Sequence, residues 1–306
     1  MAARGLLSIR VILEACNVQT IAADVDEAMQ FCRDLGLVDL VATSRFTAYR
    51  QRLTELNEAL ERGGPEAARE VFDTDRVVSG VALGECAELA TLLPFIKSQT
   101  REVIRPKLER VLIGPVIPTD EDQNSSRGRN TLFELNLASK LWTARLDSIL
   151  GERPDLSCEI DGRLLLIECK RPTSMGGARK AIARGRDQIV RDLKKCRAGS
   201  RGVIAMSLAK IVNPGDQLFR YQGEAAGREG LAAVLDRFRI DLEDSCRALP
   251  PKIMGMIWHI GTISADEVAQ LYTFVQETTV HGFIRRSQND DRELKILYER
   301  IREFFS

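Results

Sequence analysis

PDLSCEIDGRLLLIECKRP, residues 154–172, is the stretch whose reading decides the fold. Two apolar runs flank Asp161-Gly162, a pair that tolerates the positive φ of a two-residue hairpin turn. With those two at the tip, Ile160 stands opposite Arg163, and every further pair steps one residue outward on each strand. Asp155 then falls opposite Glu168, and directly opposed positions hold their Cβ atoms about 4.5–5.5 Å apart. Glu168 and Lys170 are two apart and share a face. The register therefore gathers Asp155, Glu168 and Lys170 at the open end of an apolar hairpin. Like charges placed directly opposite one another destabilise a strand pair. A hard divalent cation such as Mg²⁺, held typically by one or two carboxylates, would offset that repulsion; Lys170 offsets part of it.

Outward from the hairpin the pattern is mixed. Upstream, TLFELNLASKLWTARLDSIL has helical spacing. Downstream come a basic helix (SMGGARKAIARGRDQIVRDLKKC), a buried strand (GVIAMSLAKI), a helix (GREGLAAVLDRFRIDLEDSCRAL) and a second buried strand (KIMGMIWHIGTI). SADEVAQLYTFVQETT reads as a helix opened by a capping box, Ser264 with Glu267. DDRELKILYERIREFF reads as a last amphipathic helix. The expected class is α/β (α+β), a mixed sheet flanked by helices.

The polar stretch PTDEDQNSSRGRN reads as a loop or linker and divides a largely helical region, residues 1–120, from the sheet-bearing region, residues 127–306. Within the first region MAARGLLSIRVILEAC is expected to be helical, Gly63-Gly64 to stop a helix, and Pro94 and Pro106 to break the stretches around them. Nothing in residues 1–120 has the pattern of an active site.

Overall charge excludes little, because Lys+Arg and Asp+Glu both number 44. Its distribution is more informative. Residues 127–201 hold 17 basic and 9 acidic side chains, while residues 1–126 hold 14 and 20. The densest part of this basic island, residues 170–201, has 11 basic and 2 acidic residues. Arg171, Arg179, Lys180, Arg184 and Arg186 are its candidate phosphate contacts. Seven scattered cysteines without CxxC spacing point away from a zinc site and toward reduced thiols, hence a cytoplasmic protein. The longest uncharged apolar run, residues 253–265, falls well short of the roughly 20 residues a membrane span needs.

Pro154-Asp155, twelve residues, then Glu168-Cys169-Lys170 resembles the PD-(D/E)xK motif of restriction-endonuclease-like nucleases. The resemblance covers about residues 127–265. It implies a restriction-endonuclease-like mixed sheet, and a Mg²⁺ ion, replaceable by Mn²⁺, held by Asp155, Glu168 and the backbone carbonyl of Cys169. It implies that Lys170 acts on the attacking water. It also implies two auxiliary residues, Glu134 on the preceding helix and Gln188 on the following one. Exonuclease-like members carry a tyrosine four residues after such a glutamine, where this chain has Asp192.

Each candidate has a plainer structural reading. Thr131-x-x-Glu134 is itself a capping-box pattern, the basic island can be a solvated face, His259 in an apolar strand is a core histidine, and the Cys169 side chain points away from the acidic pair. The expectation is a Mg²⁺-dependent nuclease, most simply a DNA endonuclease of restriction, repair or phage defence. The helical region would serve a second copy of the chain or a partner protein. The alternatives are a catalytically inactive nucleic-acid-binding or scaffold module, and an RNA-directed or nucleotide-activated nuclease.

Overall fold

A computed structural model of the chain describes residues 7–12, 18–122, 125–160, 162–214, 219–266 and 271–282, with Asp290, Arg292, Lys295, Ile296 and Glu299 beyond them. In chain order the elements are β1 (Leu7–Ile12), α1 (Val18–Asp34), α2 (Val38–Thr43), α3 (Arg45–Thr74), α4 (Arg76–Ser98), α5 (Arg101–Leu112) and α6 (Arg127–Thr143). Then come β2 (Ile149–Leu150), β3 (Leu156–Ile160), β4 (Arg163–Lys170), α7 (Met175–Leu193), β5 (Arg201–Ser207), α8 (Ala209–Val212), β6 (Phe219–Tyr221), α9 (Glu224–Asp241), α10 (Glu243–Arg247), β7 (Ile253–Asp266) and β8 (Leu271–Gly282).

One eight-stranded mixed sheet runs in the order β1-β8-β7-β5-β4-β3-β2, with β6 beside the far end of β7. β4, β5 and β7 are mutually parallel, β6 is parallel to β7, and the remaining pairs are antiparallel. The central strands are apolar on both faces, as expected of parallel strands covered twice. Leu165, Ile167, Val203 and Ala205 point into a core shared with α1, α3, α4, α5 and α6. Leu166, Ile204 and Met206 point into a second core shared with α7, α9 and α10. Helix α7 lies close against β5 because Gly202 has no side chain: a Cβ there would come within 2.2 Å of Ile189. α4 is the one described helix long and apolar enough to cross a membrane, and it is mostly buried inside the fold.

The sequence expectations and the structure part at several places. Leu7–Ile12 is a strand, not a helix, and pairs antiparallel with β8; its alternation of Ser8 and Arg10 with apolar neighbours has period 2. The helix expected after Ser264 does not form among the described residues. Ser264 lies within β7, opposite Thr273 of β8, and β8 is rich in the β-branched and aromatic residues that favour strands; Glu267 lies outside the described residues. At the glycine pair the expectation holds: Gly64 leaves helical geometry (φ 74°, ψ −164°), so α3 is two helices meeting at a kink, the second opening at Pro65. Helices α4 and α5 run through Pro94 and Pro106, and the break falls between them at Gln99 and Thr100. The helix expected over 290–305 lies largely outside the described residues, of which Asp290, Arg292, Lys295, Ile296 and Glu299 are helical.

The stretch between the two halves is fixed by charge. Arg129 of α6 is paired with Glu85 of α4 and, at 2.9 Å, with Glu121. It also donates to the carbonyls of Pro115 and Val116, both at 3.0 Å. Arg45 holds the other oxygen of Glu85 at 2.7 Å. Glu85 is buried, and burial alone would raise its pKa; the two guanidiniums hold it below the usual carboxylate value.

Candidate active site

The hairpin has the register its turn requires. Ile160 pairs with Arg163, and the ladder runs outward to Leu156 opposite Ile167, stopping one pair short of Asp155 and Glu168. Gly162 sits at φ +76°, in the left-handed region the tight turn needs. Asp155, just beyond the ladder, turns its carboxylate onto the neighbouring strand, where Oδ2 accepts the Cys169 backbone N–H at 2.8 Å.

Lys170 joins the two acids. Its Nζ lies 2.7 Å from Glu168 Oε2 and 3.9 Å from Asp155 Oδ2, and it donates to the Cys169 carbonyl at 3.1 Å. The Glu168 side chain is 1% exposed, that of Lys170 17%. The Cys169 side chain points the other way, into the core with Leu165 and Ile167, and burial pushes its thiol well above the usual value.

Glu134 reaches the same place from α6. That helix begins at Arg127, so Thr131 and Glu134 lie in its interior and form no capping box. Burial, then the charge of Asp155, raises the Glu134 pKa. The same two causes, in the same order, raise that of Glu168, against the pull of Lys170. Asp155 is thus close enough to act on both of the other carboxylates. The Glu134 charge is met by a residue from the helical region: Lys107 of α5, with a side chain 5% exposed, lies 2.9 Å from Glu134 Oε2. Lys107 carries the signal of its role in its spacing, three residues after Ile104 and one before Leu108, on the buried stripe of an amphipathic helix.

The basic residues divide. Arg179, Lys180 and Arg184 are exposed on α7, opposite the buried Ala178, Ile182, Gly185 and Ile189, and among the described residues no ion pair engages them. Arg186 is half-buried and paired with its neighbour Asp187 at 2.8 Å. Arg171 departs from expectation: its side chain is 10% exposed and bonded at 2.8 Å to Glu121, itself 3% exposed. It braces the fold and does not belong to the basic surface. Gln188 is half-buried on α7, and no hydrogen bond joins it to the acidic cluster. α7 starts at Met175, with the Ser174 hydroxyl accepting from the Gly177 N–H at 3.1 Å.

Comparison with protein-family models, with curated proteins and with solved structures gave no match. Among the described residues no three His, Cys, Asp or Glu side chains are gathered so as to hold a metal ion by themselves. The donor chemistry nevertheless fits a hard cation. Asp155, Glu168 and the Cys169 carbonyl offer oxygen alone, and an ammonium group already lies between the two carboxylates.

Proposed function

We propose that the chain is a metal-dependent phosphodiester hydrolase acting on nucleic acid, DNA by preference. The observation that carries this reading is the Lys170 ammonium, in contact with Glu168 and within 3.9 Å of Asp155, at the open end of the hairpin. The order α6, β2, β3, β4, α7, β5 gives a mixed sheet flanked by helices, the general class within which the resemblance falls.

Asp155, Glu168 and the Cys169 carbonyl would hold the ion, with Glu134 beside them. A Mg²⁺ or Mn²⁺ ion bound there would lower the pKa of a water and stabilise charge on a phosphate. Lys170 has a separate task. An ammonium fixed at the mouth of a buried carboxylate pair orients the attacking water and meets negative charge growing on the phosphate, where a preorganised donor is worth most. The unpaired cations Arg179, Lys180 and Arg184 would hold the phosphate backbone without reading sequence.

A second reading, a nucleic-acid-binding module that does not cut, draws on one observation: both lysines already neutralise carboxylates in the cluster. One experiment separates the two. Supercoiled plasmid, linear duplex, single strands and RNA are incubated with wild type and Lys170→Ala in Mg²⁺, Mn²⁺ or EDTA. Cleavage that needs metal and is lost in Lys170→Ala supports the hydrolase. Binding without cleavage in either metal supports the inert module.

A further inference from the structure

Glu134 rides on α6, whereas Glu168 and Lys170 stand at the end of β4, so the spacing of the acidic cluster is that of a helix against a strand end. A divalent ion tolerates little slack in such a spacing, since Mg²⁺ demands near-ideal geometry at about 2.0–2.1 Å. The strand end is the weak point. Lys170 is the last residue of β4 to pair with β5, opposite Met206. Pro172, two residues on, has no N–H with which to continue a ladder.

Glu121 supplies the missing anchor. It lies in the stretch between the two halves of the chain, with a side chain 3% exposed, and its two carboxylate oxygens are divided between the two elements. Arg129 of α6 lies 2.9 Å from Oε1, and Arg171 lies 2.8 Å from Oε2. Arg129 stands on α6 little more than one turn before Glu134, and Arg171 directly follows Lys170. One buried carboxylate thus links the helix that carries Glu134 to the strand end that carries Lys170. The two ends of the link are themselves held. Arg129 is also paired with Glu85 and donates to the carbonyls of Pro115 and Val116. Arg171 keeps to the side of Leu132 and Phe133 of α6, with which it lines a cavity, while Lys170 turns to Glu168. The backbone at 170–171 is therefore held from two directions. A buried ion pair is weak evidence for stability, because an apolar replacement often serves as well. What a planar guanidinium on each oxygen supplies is direction.

We propose that Glu121 is a positioning residue of the site: through Arg129 and Arg171 it sets the distance between Glu134 and the Glu168–Lys170 pair. It touches neither ion nor substrate, and acts on the geometry in which the other side chains would hold them. The inference rests on the hydrolase reading for what the cluster does; the link itself stands on the two ion pairs.

The test uses the full chain with Glu121→Gln, Arg171→Met and the double variant. Glutamine keeps the shape of Glu121 but leaves one oxygen to serve two guanidiniums. Mn²⁺ binding without nucleic acid is followed by calorimetry, and kcat and KM are measured for plasmid cleavage, at a temperature where circular dichroism shows each variant folded. Each single substitution is expected to lower Mn²⁺ affinity and kcat by about 10–100-fold, the range for residues that orient metal ligands, with KM little changed. The double variant should be no worse than either single one, because the two residues act as a unit. Arg171→Lys keeps a cation beside Glu121 and should lose less than Arg171→Met; it stands in if that variant does not fold. A role confined to bracing the fold predicts lower resistance to urea with kcat and Mn²⁺ affinity unchanged, and that result overturns the proposal, as do losses that add in the double variant. In that case a wild type that cleaves keeps the hydrolase reading intact. Mn²⁺ binding that depends on Glu121 in a protein that never cleaves upholds the positioning role and removes the hydrolase reading. A wild type that neither binds Mn²⁺ nor cleaves overturns both.

Discussion

Lys170→Met tests the electrostatics on which the site depends. The substitution keeps most of the hydrocarbon stem and removes the ammonium found 2.7 Å from Glu168 and 3.9 Å from Asp155. Glu168 is then a carboxylate with a 1% exposed side chain and no cation against it. Breaking a buried pair in this way costs about 3–5 kcal/mol while the orphan stays charged. Glu168 has an escape, which is to take up a proton. From its ordinary value of 4.5, holding the acid neutral at pH 7 costs about 3 kcal/mol at roughly 1.4 kcal/mol per pH unit. That limits the loss. Burial and Asp155 already raise Glu168 in the wild type, so the variant adds only part of the limit, about 1–3 kcal/mol at pH 7.

The pH dependence follows from the direction of the shift. An acid whose folded pKa lies above its unfolded value binds its proton more tightly in the folded state. Stability is then greatest below about pH 4.5 and falls as pH rises toward the folded pKa. The folded pKa is higher in the variant, so the two proteins should match near pH 4 and diverge toward pH 7. Urea denaturation in EDTA at about pH 4, 5.5 and 7 measures this. Added Mg²⁺ should recover more stability in the variant than in wild type, since the variant lacks the competing ammonium, while plasmid cleavage is lost. A variant as stable as wild type at pH 7, or one destabilised equally at pH 4, would refute the charge-pair account. Full cleavage by the variant would refute the role of Lys170.

Three other outcomes are expected. Lys107→Met removes the cation 2.9 Å from Glu134 and raises the Glu134 pKa further, so the cleavage-rate profile should shift to higher pH; an unshifted profile places Glu134 outside the reaction. Arg179→Ala, Lys180→Ala and Arg184→Ala together should weaken binding to every sequence alike and flatten the slope of log affinity against log salt by about 2–3, at roughly 0.7–0.9 per phosphate contact; unchanged binding at low salt makes that face of α7 merely solvated. Arg129→Met leaves Glu85 and Glu121 each with one fewer partner in a buried network and should cost about 3–5 kcal/mol in denaturant unfolding, a loss below about 1 kcal/mol contradicting the network.

What could be read in advance was local or periodic. The Asp161-Gly162 signal and strand parity were enough to bring Asp155, Glu168 and Lys170 together, because the period of a strand is two and a hairpin turn fixes register. What could not be read depended on distant chain. Nothing near Leu7–Ile12 names its partner, which lies at residues 275–280. Leu271, Tyr272 and Val275 satisfy helical spacing, yet Leu271–Gly282 forms a strand once β7 offers it an edge. Arg171 sits in a dense run of positive charge, and only the fold reveals that Glu121, fifty residues earlier, claims it. Lys107 carried a readable anomaly, a lysine on an apolar stripe, but its partner lies 27 residues away on another helix.

The cluster therefore draws its charge balance from both halves of the chain. Glu134, Asp155 and Glu168 contribute three negative charges when ionised, and Lys107 and Lys170 contribute two positive ones. Burial first, and then the charge of Asp155, holds Glu134 and Glu168 above their ordinary values, and a residual −1 in so buried a space is unfavourable. A divalent cation would turn that balance to +1 and draw both pKa values down. A site with net charge +1 attracts a phosphate diester, while one with −1 repels it. Lys107 shifts this balance toward binding anions without facing solvent. The helical region is in this sense part of the site's chemistry: remove Lys107 and even the ion-loaded cluster is neutral, with less attraction for the substrate it is proposed to cut.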